Sequence, residues 1–109
     1  MIRYDLGEIV LVQFPHTDMQ TISKRPAFVL YDSGDLDILV ARITSQDCST
    51  QADFKIFDWK KCGLMSESYI RLGKLATIEK HFIVRKLGTL GDTEINMLKS
   101  IMMKMFSLK

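Results

Sequence analysis

A small, mainly β domain closed by one C-terminal helix is the fold the sequence predicts, with a barrel and a sandwich both compatible. Three observations predict it. Short β-branched and apolar runs recur roughly every ten positions between turn residues. Only the last stretch shows the three- and four-residue spacing of an amphipathic helix. The chain has 109 residues, 47% apolar and 26% charged, which is enough for one hydrophobic core without covalent staples. Residues 1–109 read as a single domain, with no internal repeat, low-complexity tract or linker.

In chain order, Asp5-Leu6-Gly7 is a turn and Glu8–Phe14 a strand, apolar nearly throughout. Pro15–Lys24 is a polar loop of about ten residues, longer than most hairpin connections and therefore a candidate gating or partner-contacting element. Lys24-Arg25-Pro26 leads into a second strand, Ala27–Tyr31. Proline has no N–H and a fixed φ, so Pro26 belongs at the strand's first residue and Arg25 at a loop-to-strand junction. Asp32-Ser33-Gly34-Asp35 is a turn cluster, Asp37–Ile43 the third strand and Thr44–Ala52 a polar loop.

Asp53–Phe57 suits a short strand, and Asp58–Leu64 one helical turn, capped by Asp58 and stopped by Gly63. Ser68–Leu72 and Leu75–Ile78 are two strands, with Gly73-Lys74 as a bulge or tight bend between them. His81–Leu87 is the last strand. The helix has Asp92 as its expected N-cap and Glu94 at its positive end. Ile95, Leu98, Met102 and Met105 form one stripe, which Met97, Ile101 and Phe106 widen. A capping helix needs only the first stripe, so the remainder is expected to meet a second subunit or another protein.

Composition excludes several classes. No apolar run reaches the roughly eighteen residues needed to span a bilayer, and the N-terminus lacks the apolar core of a signal peptide, so a cytoplasmic location is expected. Cys48 and Cys62 lack CxxC spacing and are expected to stay reduced; no zinc set is visible, and no metal or cofactor is expected. The net charge of +2 is too small to announce a nucleic-acid binder. Its distribution is uneven: residues 1–50 carry four Lys/Arg against seven Asp/Glu, and residues 51–109 carry eleven against six.

Chemistry enters where the second and third strands would pair. The Arg25 guanidinium and the Thr44 and Ser45 hydroxyls would then meet on one side of a small sheet, a combination that suits a phosphate. Arg71 alternates with Ile70 and Leu72, which turns it away from them, into a groove or solvent. Plainer readings stand beside these: Arg25 in a surface ion pair with an N-terminal acid, Thr44 bonded to a backbone group, His16 as ordinary surface, and Trp59 and the methionines as core or dimer surface.

The ordered motifs resemble a known family. Gly7–Pro15, a polar loop, then Lys24–Leu30 is similar to the opening of the MazF/PemK toxins, here in their PemK-like branch. Ile43-Thr44-Ser45 resembles the second motif, and Asp58-Trp59, Gly63-Leu64 and Ser68–Lys80 the third. Arg85–Leu90 before a helix also fits. The resemblance implies an SH3-like barrel of about seven short strands with a C-terminal helix. It implies a homodimer that is the toxin of a type II toxin–antitoxin system, a metal-independent endoribonuclease cutting single-stranded RNA through attack by the ribose 2′-OH. Its expected partner is a cognate antitoxin whose acidic tail covers the RNA groove. Arg25, Thr44 and Arg71 match the family's catalytic positions, and His16, Lys24, Ser45 and Lys74 are the matching candidate substrate contacts. Gly73 is the departure: family members commonly carry an acid there, in some assigned as the base, and glycine cannot accept a proton. An RNA- or antitoxin-binding module of weakened or absent activity, or a toxin acting on a protein such as gyrase, are the alternatives.

Overall fold

The computed structural model describes residues 2–15 and 22–107. Six strands and one helix follow in order: β1 (Glu8–Pro15), β2 (Ile22–Tyr31), β3 (Asp37–Thr44), β4 (Asp53–Lys55), β5 (Tyr69–Glu79), β6 (Ile83–Thr89) and α1 (Asp92–Met105). A 3₁₀ turn, Lys80–Phe82, joins β5 to β6. The strands form one antiparallel sheet in the order β4-β5-β3-β2-β1-β6.

Edge strands β4 and β6 do not pair with each other, so the sheet is not closed into the expected barrel, and it has six strands in place of about seven. The difference in number arises at Gly73. The two expected strands on either side of it are one strand, β5. Its register against β3 jumps from Ala41↔Leu75 to Arg42↔Arg71, which leaves Leu72, Gly73 and Lys74 bulged out. The bulge foreseen at Gly73-Lys74 is present, but it bends the strand without ending it.

The first hairpin also runs longer than expected. β1 and β2 pair from Ile9↔Phe28 out to Pro15↔Ile22, so Lys24, Arg25 and Pro26 lie inside β2 and not before it. Pro26 is tolerated there because β2 pairs with β3 only from Ala27 onwards, which leaves one side of β2 without a ladder to interrupt. His16 lies outside the described residues. Asp58–Gly63 is a hydrogen-bonded turn and not a helical one. As expected, though, Asp58 Oδ1 accepts the Lys61 N–H at 3.3 Å and Gly63 ends the turn with φ of 76°. A Cβ at Gly63 would collide with the Leu87 carbonyl, so only glycine lets this turn lie against β6.

Apolar residues line both faces of the sheet. Ile9, Phe28, Ala41, Ile43, Ile70 and Leu72 join Leu90 and Leu98 in the larger core, beneath α1. Val10, Val12, Ala27, Val29, Ile38 and Val40 form a second core on the other face, against Tyr4, Ile78 and Phe82. Burial on both faces explains why β1 is apolar without alternation.

The helix N-cap is Gly91, not Asp92, and no side chain caps it. A capping side chain contributes about 1 kcal/mol, whereas burying one leucine contributes about 1.5–3. Leu98, wholly buried, therefore does more to dock α1 than its end chemistry. Glu94 adds a tether, its Oε2 accepting the Phe57 N–H at 2.8 Å. Among the described residues no helix is long and apolar enough to cross a membrane.

Candidate functional site

The pairing of β2 with β3 stops at Ala27↔Arg42, while β2 stays paired to β1 and β3 to β5 well beyond that point. The two strand ends therefore part, and a cleft of about 840 Å³ opens around them, closed on one side by the turn at Gly63–Ser66 and by β6. Continued two residues, the β2–β3 register sets Arg25 opposite Thr44, and both side chains line the cleft. The juxtaposition foreseen from the two runs is thus formed, with Lys24, Ser45 and Lys74 also on the wall.

Two cations unforeseen at the sequence level complete it: Arg42 on β3 and Arg85 on β6. The only signal for Arg42 was its two-residue spacing from Thr44, which puts both on one face of a strand. Nothing in the sequence pointed to Arg85 in this wall, because its place follows from the β1–β6 register, Leu11↔Arg85.

Among the described residues five cations thus line the cleft, Lys24, Arg25, Arg42, Lys74 and Arg85, and no carboxylate does. None of the five has an ion-pair partner among the described residues. The expected alternative of an Arg25 ion pair with an N-terminal acid is not formed among them. Concentrated positive charge without counter-charge is the footprint of a polyanion site. Asp32 is held by Lys80 and Glu8 by Lys86.

Thr44 bonds a backbone group, the plainer of its two expected uses. Its Oγ1 accepts the Gln46 N–H at 3.2 Å, which orients the hydroxyl at the strand end and leaves its own hydrogen to donate. Next to Thr44 across the β3–β5 ladder stands Tyr69, whose hydroxyl donates to Asp47 Oδ1 at 2.9 Å. That hydrogen bond, with burial and the Asp47 charge, pushes the phenol up from its ordinary value.

Arg71 is not part of the cleft wall. Its Nε lies 3.1 Å from Asp53 Oδ1, and the Asp53 side chain is only 3% exposed. Burial would raise the Asp53 carboxyl, but the Thr50 hydroxyl and N–H, together with the Arg71 guanidinium, outweigh it and hold the group below the usual range. Gly73 sits beside the cleft residue Lys74, and a Cβ there would meet only the Ala52 Cβ, at 3.6 Å.

Cys48 and Cys62 are free thiols; burial, as the leading cause, pushes both up from the ordinary value. Among the described residues no three His, Cys, Asp or Glu side chains gather as a metal site.

The fold has solved counterparts. An endoribonuclease in complex with its cognate antitoxin, from a Mycobacterial species, superposes with a TM-score of 0.76 at 12% identity, covering 94% of each chain. The Mycobacterium tuberculosis toxin MazF-mt6 gives the same TM-score at 20% identity, over 94% of this chain and 98% of that one. A second endoribonuclease from Mycobacterial species gives 0.72 at 12% identity, over 94% and 90%. At such identities the likeness is one of fold. Curated proteins show no match. A family model for PemK-like, MazF-like toxins of type II toxin–antitoxin systems matches residues 5–106, nearly the whole chain. The chain belongs to the PemK-like, MazF-like toxin family of type II toxin–antitoxin systems.

Proposed function

We propose that this toxin is a one-domain, metal-independent endoribonuclease of the cytoplasm, cutting single-stranded RNA as a homodimer and held in check by a cognate antitoxin. The observation that carries the reading is the cleft itself: among the described residues five cations and no carboxylate line it, with Arg25 opposite Thr44 where two strands part. Similarity to an endoribonuclease in complex with its cognate antitoxin supports the activity and the partner alike.

In the reaction, a ribose 2′-oxygen forms a bond to the adjacent phosphorus and the bond to the 5′-oxygen breaks. The products are a cyclic phosphate and a 5′-hydroxyl. Arg25 stabilises the phosphorane charge, Thr44 donates to a phosphate oxygen, and Arg71 assists through its field from beside the cleft. Lys24, Ser45, Lys74 and His16 hold the flanking strand. The 2′-proton passes to water, the departing 5′-oxygen takes a proton from water, and charge stabilisation supplies most of the rate.

Purified protein incubated with single-stranded RNA in EDTA is expected to cut it, and Arg25→Ala to slow cleavage about a hundredfold or more. Intact RNA under conditions where a related toxin cuts, or full activity in the variant, overturns the reading.

A further inference from the structure

We propose that Arg42 is a phosphate-binding residue of this cleft, gripping the RNA backbone beside Arg25 and Thr44 where Arg71 is committed to a carboxylate. The proposal deepens the endoribonuclease reading and rests on it.

Arg42 and Arg71 are direct cross-strand partners on β3 and β5. Partners of this kind share a face of the sheet, and like charges so placed repel. The protein offsets one of the two charges and leaves the other. Arg71 is paired with Asp53, which also accepts the Thr50 N–H at 2.9 Å and hydroxyl at 2.8 Å. Drawing Arg71 onto a phosphate would strand a buried carboxylate. Arg42 has no carboxylate within ion-pair range among the described residues, is exposed, and lines the cleft.

Position supports this as strongly as charge. On its other side Arg42 is the partner of Ala27, and Arg25 lies two residues back from Ala27 on the same face of β2. Thr44 is two residues on from Arg42 along β3, again on that face. Two guanidinium forks and a hydroxyl donor therefore share one face and one cleft, with no carboxylate among its described lining residues, a donor set that matches the non-bridging oxygens of a phosphodiester.

The test uses the full chain and a mixed-sequence, single-stranded 2′-fluoro RNA oligonucleotide, which lacks the attacking hydroxyl and so reports binding alone. Fluorescence anisotropy is read across a series of KCl concentrations. Each phosphate contact on a single strand contributes about 0.7 to the slope of log affinity against log salt. Arg42→Ala and Arg42→Gln are both expected to lower the slope by about 0.7, and Arg42→Lys to retain it. Arg71→Ala, which removes a charge already offset by Asp53, is expected to lower it by less than either Arg42 variant. Circular dichroism of each variant establishes that it is folded. An unchanged slope in both Arg42→Ala and Arg42→Gln overturns the proposal, as does a loss confined to Arg71→Ala. If the wild type cuts natural RNA while the Arg42 variants bind like it, this proposal fails and the activity stands. If the slope falls as stated but natural RNA stays intact, Arg42 binds phosphate and the catalytic reading fails. A wild type that neither binds nor cuts refutes both.

Discussion

Gly73 shows how one residue separates tolerance from chemistry. The resemblance of the motifs leads one to expect an acid at this position; here it is glycine. Its φ lies outside the left-handed region, and an added Cβ would make only an ordinary contact with Ala52, so neither backbone strain nor crowding requires glycine. Gly73→Asp is therefore expected to fold like the wild type, by circular dichroism and thermal unfolding. A positioned general base typically contributes a factor of about 10²–10⁴, so cleavage of single-stranded RNA by this variant is expected to rise by about a hundredfold. No gain in an active protein would show that the proton acceptor is not limiting. Arg25 and Thr44 were legible in the sequence because each lies beside a strand run that pairing brings together, although Arg25 itself stands inside β2. Arg42 was not, because its value depends on Asp53 having taken its neighbour Arg71, a contact between residues far apart in the chain.

Between elements, a buried ion pair ties the N-terminal segment, the β2–β3 turn and the 3₁₀ turn. Asp32 Oδ1 lies 2.8 Å from Lys80 Nζ and accepts the Gly34 N–H, while Oδ2 accepts the Tyr4 N–H at 2.8 Å. The Lys80 hydrogen bond, then that of Tyr4, lowers the carboxyl from 3.8 to about 2. A carboxyl depressed on folding contributes stability that is complete above its unfolded value and lost as pH falls through its folded one. Thermal unfolding followed from pH 5 down to 2 is expected to show the melting temperature falling below about 4. In Asp32→Asn the protein is expected to be less stable at neutral pH, with a shallower fall. An equal slope in variant and wild type would show that other carboxylates, Asp53 among them, govern the acid limb. Nothing in the sequence paired Asp32 with Lys80, since the turn cluster was readable but the docking of the 3₁₀ turn against it was not.

For the whole molecule, the question is what covers the apolar surface that the fold leaves open. Ile95, Leu98, Ile101, Met102 and Met105 pack on or into the core, so Ile101, expected to widen the free stripe, is used within the subunit. Met97, Met103 and Phe106 stay more than two-fifths exposed. Phe106 joins Tyr31, Leu75 and Met102 around an apolar hollow of about 230 Å³. Flexible methionines and an open hollow suit association with a second copy, and a two-fold pair would present the Arg25–Thr44 site twice. Sedimentation equilibrium at micromolar concentrations is expected to give a dimer, and Phe106→Glu with Leu75→Glu to shift it to monomer. A monomer at every concentration would remove the dimer.

The apolar strand runs, the terminal helix, the bulge at Gly73-Lys74 and the pairing that sets Arg25 opposite Thr44 were legible in the sequence alone, because each follows from local periodicity or turn chemistry. The length of β2 through Pro26, the continuity of β5 and the non-helical turn before Leu64 were not. Nor was closure of the sheet. Whether the edges of a twisted sheet meet depends on the summed twist and bulges of every strand, and here β4 and β6 stay apart. The charge of the cleft lay equally beyond the sequence. Three of its five cations come from the half of the chain in which acids predominate. Only strand pairing gathers Lys24, Arg25, Arg42, Lys74 and Arg85 around one cleft while Asp32 and Glu8 pair with other lysines, since electrostatic potential follows distance in space and not position along the chain.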